Sequence, residues 1–214
     1  SHTGINSTST YYYRIYSYDA VPDYSSGAST SNFIAYPLPY LQDFPTTSAP
    51  TRWTTNMSFT SAHGTAGSIG LNRRLSSGST VYYAETPLIG DISASTYLSF
   101  HYRFVNYSEF PNLPKELTAN DRLEIQVSLN SGVSFTTFHT IDLNNHTATL
   151  EFTNKVLSLA AYAGHPVKIK FLCNWGSGDF YVDVDNVLFE NGNNMSFTNS
   201  TTEQAGTANV GVGP

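Results

Sequence analysis

The segment STYLSFHYRFVNY, residues 95–107, alternates strictly between apolar and polar side chains. The apolar set falls on one face of an extended chain, at Leu98, Phe100, Tyr102 and Phe104. The other face carries polar side chains, at Ser99, His101 and Arg103. A period of two predicts a β-strand with one face in a hydrophobic core.

The same alternation recurs further along the chain. DRLEIQVSL, residues 121–129, places Leu123, Ile125, Val127 and Leu129 on one face, and the NSG turn at 130–132 predicts a hairpin. HPVKIKFLCNW (165–175) and GDFYVDVDNVLFE (178–190) are interpreted as two long strands paired with each other. The one candidate for helix is a short turn near residues 157–162. About eight to ten such strands predict an all-β, two-layer antiparallel sandwich of the jelly-roll type.

Composition agrees with an all-β chain. Of 214 residues, 40% are hydrophobic and only 12% charged, with 15 tyrosines and 13 phenylalanines. The net charge of −6 and the scattered basic residues, among which Arg73 and Arg74 form the only adjacent pair, argue against a nucleic-acid partner. The single cysteine, Cys173, excludes an internal disulfide and is expected to be a small buried hydrophobe. The predicted core comprises Phe44, Trp53, Phe100, Ile125, Val127, Phe171 and Val184.

The segment GSGDFYVDVDNVLFEN, residues 176–191, places two carboxylates inside a strand. Asp183 and Asp185 are two residues apart and so project from the same face, although aspartate is depleted in strands. One interpretation is that Asp183 lies at a solvated sheet edge while Asp185 binds backbone amides. The alternative, a shared metal ion, depends on a family resemblance.

Both ends of the chain resemble parts of neighbouring domains. Residues 1–37 contain one hairpin, which cannot bury a core alone, and resemble the last two strands of a fibronectin type III domain. Residues 191–214 are similar to a linker and the first strand of a following β-domain. The expected organisation is therefore three parts, with residues 38–190 as the complete unit.

Five blocks of the middle unit occur in the order of a known family: LPYLQDF (38–44), SFHYRF (99–104), DRLEIQVSLNSGVSFTTF (121–138), LAAYAGHPVKIKF (159–171) and DFYVDVDNVLF (179–189). This order resembles the cleaved-adhesin family of MAM-like jelly rolls. The resemblance implies a non-catalytic module of a large secreted cell-surface protein of Bacteroidetes, exported by the type IX route. Its role would be adhesion, gliding or attachment, or that of a stalk between neighbouring domains.

The resemblance also implies a structural calcium ion. In that family the closing acidic strand lies beside the entry segment, and oxygen ligands from both hold calcium. Asp43, Asp183 and Asp185 would supply the carboxylates that calcium prefers. This chain departs from the family at Pro45, where a glutamate is usual, so one strong ligand is lost.

Catalysis is not expected. The sequence has no nucleophile elbow, no zinc-protease motif and no phosphate loop, and its six histidines show no zinc-ligand spacing. Glu109, Glu116 and Asp121 lie in a segment rich in proline and asparagine, where ordinary turn chemistry explains them. No apolar run of membrane-spanning length occurs, so no membrane insertion is expected. The family resemblance implies that the protein is extracellular, on a bacterial cell surface.

The remaining functions are two forms of binding. One is an adhesive or stalk module with a cell-surface or extracellular glycan or protein ligand. The other is a carbohydrate-binding accessory module of a secreted hydrolase, with sugar stacked on exposed rings. The candidate rings are Tyr82, Tyr83, Tyr107, Phe110 and Trp175. Tyrosine and tryptophan also occur in sandwich cores, so Tyr82 and Trp175 could equally be core residues.

Overall fold

The computed structural model describes residues 10–15, 28–33, 35–78 and 81–192. Its strands, in chain order, are β1 (Thr10–Ile15), β2 (Ala28–Phe33), β3 (Tyr40–Gln42), β4 (Thr54–Thr55), β5 (Ser58–Ser61), β6 (Ile69–Leu75), β7 (Tyr82–Glu85), β8 (Thr96–Asn106), β9 (Arg122–Ser128), β10 (Thr136–Ile141), β11 (Thr153–Ser158), β12 (Lys168–Asn174) and β13 (Phe180–Asn191). The described helical residues form two short 3-10 turns, at Thr65–Gly67 and Ala160–Tyr162. The all-β prediction is confirmed.

The strands form two antiparallel sheets packed face to face. Sheet I has five strands in the order β10-β9-β12-β7-β4. Sheet II has six strands. Five lie in the order β11-β8-β13-β6-β5, and the sixth, β3, pairs with β13 beyond the end of β6. The two-layer sandwich predicted from the alternating segments is therefore present.

The core lies between the two sheets. All seven side chains predicted to be buried are buried, from Phe171, which is 0% exposed, to Trp53, which is 7% exposed. Cys173 is fully buried within this core, as predicted, and burial raises the pKa of its thiol to about 12. Leu129 is the exception among the predicted inward residues, because β9 ends at Ser128 and Leu129 lies 50% exposed at the hairpin tip.

Strands β12 and β13 do not pair with each other, which corrects the prediction of two paired long strands. β12 lies between β9 and β7 in sheet I, whereas β13 lies between β8 and β6 in sheet II. Each strand directs alternate apolar side chains into the core, so the two strands face one another across it. The turn between them passes from one sheet to the other.

A β-bulge divides β13 into two halves. The pairing with β8 shifts between Asp185 and Leu188, and Asn186 adopts a positive φ of 49°. The extra residue reverses the alternation, so that Val184 before the bulge and Val187 after it both enter the core. β13 therefore keeps one apolar face although its neighbour changes from β6 to β3.

The first hairpin pairs β1 with β2 in a two-stranded sheet of its own. This agrees with the hairpin expected in residues 1–37, while the fibronectin resemblance and the domain boundaries stay predictions. Residues 193–214, to which the following domain was assigned, lie outside the described residues. In the described ranges, no helix is long and apolar enough to cross a membrane.

Candidate functional site

Asp183 is held by an arginine and a histidine on the outer face of sheet II. Its Oδ2 accepts a hydrogen bond from Nε of Arg103 at 2.8 Å, and its Oδ1 lies 2.7 Å from Nδ1 of His63. The carboxylate is 0% exposed. The interpretation of Asp183 as a residue at a solvated sheet edge is therefore wrong. The loop between β5 and β6, residues 62–68, covers it.

Asp185 binds the same loop through different atoms. Its Oδ2 accepts from the backbone N and the Oγ1 of Thr65, at 2.7 and 2.8 Å, and its Oδ1 accepts from the backbone N of Asn186 at 2.8 Å. Arg103 Nη2 also donates to the carbonyl of Ala62. The expectation that Asp185 binds backbone amides is confirmed, and the two carboxylates together fasten the β5–β6 loop to the sheet.

Glycines allow this loop to approach the sheet closely. A Cβ atom added at Gly70 would clash with the carbonyl carbon of His63, 2.5 Å away, and with its oxygen. A Cβ at Gly64 would lie 2.5 Å from the carbonyl oxygen of Ile69. Because real side chains do not tolerate such distances, these two positions require the residue without a Cβ.

The contacts of the acidic strand do not fit the predicted calcium site. Among the described residues, no group of three His, Cys, Asp or Glu side chains could hold a metal ion, so Asp43 is not assembled with Asp183 and Asp185. Asp43 is exposed on the segment after β3. The positive charge that offsets Asp183 comes from Arg103 instead. These contacts do not test calcium binding itself, which melting curves in chelator and in calcium would measure.

Aromatic rings close over the same face. Phe110 stacks on His63 with ring centroids 4.4 Å apart, and Tyr181 contacts Phe110 at 5.3 Å and Tyr107 at 5.6 Å. Arg74 lies over the ring of Tyr107, with Cζ 3.3 Å from its centroid. The segment after β8 is thereby packed onto β13, and it completes the cover over Asp183.

A polar depression of about 470 Å³ opens beside this cluster. Its lining, called the β6 groove from here on, consists of Ser58, Thr60, His63, Asn72, Arg73, Arg74, Ser76, Ser77, Gly78, Tyr82 and Tyr181. β5 pairs with β6 only as far as Asn72, so β6 extends beyond its neighbour from Arg73 onward. Tyr82 comes from β7 of sheet I, which places the groove at the side where the two sheets meet.

The two arginines of the groove are held differently. Arg74 makes a bidentate ion pair with Asp179, at 2.7 and 2.5 Å, which lowers the pKa of that carboxyl group. Arg73 donates from Nη2 to the hydroxyl of Tyr82 at 2.8 Å and lies over its ring, with Cζ 3.9 Å from the centroid. Both guanidinium groups therefore have a fixed position beside an aromatic ring.

The structure brings three of the five candidate rings to this region. Tyr82 lines the groove, while Tyr107 and Phe110 pack against the groove residue Tyr181. Tyr107 is 39% exposed, and the other four candidate rings are partly buried.

The other two candidate rings lie elsewhere. Tyr83 lies next to Lys170 on sheet I, with Nζ 5.2 Å from its ring centroid. Trp175 packs against the core and donates Nε1 to the carbonyl of Gly178. Neither ring belongs to the β6 groove.

Sequence reasoning missed Tyr181 and His63 as members of the site. Arg73 and Arg74 did carry a signal, because they are the only adjacent basic pair in the chain. Tyr181 reads as one more aromatic residue in a strand. The position of Tyr181 beside the groove depends on the pairing of Tyr181 with Arg74 in β6 and with Val105 in β8.

Asp121, which the sequence suggested was an ordinary loop carboxylate, is buried and accepts hydrogen bonds from two segments of the chain. Its Oδ2 accepts from N and Oγ1 of Thr118, and its Oδ1 accepts from the amides of Gly176 and Ser177. Burial is the largest influence on this carboxyl group and raises its pKa, but the hydrogen bonds together outweigh it. The pKa of Asp121 is therefore lowered. The residue ties the segment before β9 to the turn between β12 and β13.

Comparison with known proteins gives similar solved structures only. No family model matches the chain, and no curated protein matches it. The K2 cleaved adhesin domain of Lys-gingipain is 16% identical, with a TM-score of 0.48 over 71% of this chain and 99% of that one. The K3 domain of Lys-gingipain from Porphyromonas gingivalis gives the same identity and TM-score over 71% and 96%. The TmCBM61 module, solved with β-1,4-galactotriose, is 14% identical, with a TM-score of 0.44 over 70% and 94%. Likeness at this level carries no inference about ligand or activity.

Proposed function

We propose that the chain is a non-catalytic binding module of a secreted bacterial cell-surface protein, and that its ligand is a carbohydrate held in the β6 groove. The observation that carries the proposal is the groove itself, about 470 Å³ in volume and lined by hydroxyl, amide, guanidinium and tyrosine groups. Saccharides offer dense hydroxyl groups and apolar C–H faces, and these side chains match both.

The rigidity of the lining supports binding. Tyr181 is braced by Tyr107 and Phe110, and Tyr82 by the guanidinium of Arg73. Rings and donors fixed before the ligand arrives lose little conformational entropy when it binds. The nearest buried carboxylate, Asp183, is bound on both oxygens by Arg103 and His63, which suits a structural role better than proton transfer.

The proposal also accounts for adhesion. A module that binds glycan on a surface outside the cell attaches its carrier protein to that surface, as the resemblance to adhesins implies. A module that acts only as a stalk needs no ligand, so the measurement that separates the two roles is glycan binding. The secreted location is proposed from the family resemblance of the five sequence blocks.

The experiment is a glycan-binding screen with a groove-filling variant. Thr60, an exposed residue of β5, lines the groove, and Thr60→Trp is expected to fill it and lower the affinity for any bound glycan at least tenfold. Thr136→Trp is the matched control, since Thr136 is an exposed threonine of the edge strand β10 in the other sheet. If both variants bind a glycan as tightly as the unsubstituted chain does, the ligand binds outside the β6 groove. If the unsubstituted chain binds no glycan, the proposal is contradicted.

A further inference from the structure

The charge of the β6 groove is opposite to that of the whole chain. The chain has a net charge of −6, but the groove is lined by the two arginines Arg73 and Arg74 and by no carboxylate. A local charge of opposite sign attracts a ligand that the rest of the surface repels. The ligand class is therefore restricted by charge as well as by hydroxyl chemistry.

Arg73 is the residue that can meet an anion. The charge of Arg74 is offset by Asp179, and that of Arg103 by Asp183. Within the described ranges, Arg73 makes no ion pair, and its Nε is buried without an acceptor. A guanidinium group carries five N–H donors in a planar fork. One of them, on Nη2, donates to the hydroxyl of Tyr82.

The surroundings of Arg73 hold its guanidinium in one place. Its Cζ lies 3.9 Å from the ring centroid of Tyr82, and β6 fixes its backbone between β13 and the open edge of sheet II. Such a fork is suited to a carboxylate or a sulfate, which accepts two parallel hydrogen bonds. Tyr181 and the hydroxyl-bearing Ser58 and Thr60 line the same groove and are available to a sugar ring.

We infer that the β6 groove selects saccharides that carry an anionic group, a carboxylate as in a hexuronic acid or a sulfate ester, and that Arg73 binds this group. The inference rests on the proposed function, since it names the ligand class of the same groove. The sugar ring occupies the tyrosine and hydroxyl side, and the anionic group meets the guanidinium fork.

The first test compares ligands that differ only in charge. Isothermal titration calorimetry with oligogalacturonate is set beside the same oligosaccharide as its full methyl ester, and a sulfated galactan is set beside its desulfated form. The anionic member of at least one pair is expected to bind at least tenfold more tightly, with an affinity that falls as salt is added. Equal affinity within both pairs overturns the inference and leaves the proposed function standing. Binding of none of the four also overturns the inference, and the glycan-binding screen described above then decides the proposed function.

The second test assigns the selectivity to Arg73. Arg73→Gln is expected to lower the affinity for the anionic ligand at least tenfold, so that the anionic and neutral members of a pair bind with similar affinity. Arg122→Gln is the control, because Arg122 is an arginine of β9 in sheet I that pairs with Glu124. A preference that survives Arg73→Gln overturns the role of Arg73. If Arg73→Gln fails to fold, Arg73→Lys keeps the charge without the fork and is expected to weaken the preference.

Discussion

Nδ1 of His63 lies 2.7 Å from Oδ1 of Asp183, although the two residues are 120 positions apart in the chain. Arg103 completes the set from a third strand, 80 positions before Asp183. The three side chains come from the β5–β6 loop, from β13 and from β8, and all are buried. The acidic strand thus serves as the point at which a distant loop is fastened to the centre of sheet II.

Asp183→Asn is expected to destabilise the protein strongly. The substitution leaves the guanidinium of Arg103 buried without its counter-charge, and breaking such a pair costs about 3–5 kcal/mol. Denaturant unfolding of both proteins measures the change. Asp179→Asn is the control, because the ion pair of Asp179 with Arg74 is exposed and its loss is expected to matter far less. Equal effects of the two substitutions would contradict the buried anchor.

Calcium is expected to leave the melting temperature of the protein unchanged. The oxygens of Asp183 and Asp185 already accept hydrogen bonds from Arg103 and Thr65, so they offer little to a shared ion. Melting curves in chelator and in millimolar calcium measure this. A rise of several degrees with calcium, abolished by Asp185→Asn, would restore the calcium site predicted from the sequence.

Gly70→Ala is expected to destabilise the protein and loosen the β5–β6 loop. The new methyl group would overlap the carbonyl of His63, and overpacking of this kind typically costs about 1–3 kcal/mol. Unfolding in denaturant measures the loss. Gly78→Ala tests the backbone alone, because a Cβ there meets no atom within 4 Å although φ is +83°. Equal losses for the two would show that the contact with His63 is unimportant.

The contribution of Asp121 to stability is expected to decrease in acid. Its pKa is lowered in the folded protein, so its stabilisation is present above the unfolded pKa of about 3.9 and is lost as pH falls through the folded pKa. The stability difference between the unsubstituted chain and Asp121→Asn should therefore be largest near neutral pH and shrink below about pH 4. Denaturant unfolding across this pH range measures it. A difference that does not vary with pH would contradict the assignment.

Cys173 is expected to resist thiol reagents until the protein unfolds. It is 0% exposed, and the raised pKa of its thiol, about 12, keeps the reactive thiolate scarce at neutral pH. Labelling with a thiol-specific reagent should be slow in buffer and fast in denaturant. Rapid labelling of the native chain would mean that β12 opens readily.

The alternating strands were readable from the sequence because their period depends on neighbouring residues only. The alternate apolar side chains from Leu98 to Phe104 and from Leu123 to Val127 are buried on the core face, as predicted. Strand partners are not local, which is why β12 and β13 were wrongly paired. Consecutive strands with one apolar face each can lie side by side or face one another, and only the complete set of strands decides between the two.

The candidate site was partly readable for a similar reason. Residue type marked Tyr82, Tyr107 and Phe110 as rings to consider, and position along the chain marked Asp183 as unusual. The partners of Asp183 could not be found this way, since His63 and Arg103 reach it only when the β5–β6 loop folds over β8 and β13. Charge balance in the β6 groove likewise depends on Asp179, which neutralises Arg74 and leaves Arg73 without a carboxylate.

The pairing of β3 with β13 has a mechanical consequence. Tyr40 lies opposite Phe189 and Gln42 opposite Val187, so the start of β3 and the late part of β13 meet at one end of an antiparallel pair. A pull applied to the segments before residue 40 and after residue 191 would load this pair from that end. Its hydrogen bonds would then break one after another, as in unzipping, while the bonds between β13 and β8 extend over a much longer register. Under tension the entry strand is expected to yield first, and the β6 groove, built on β5, β6 and β13, to outlast it.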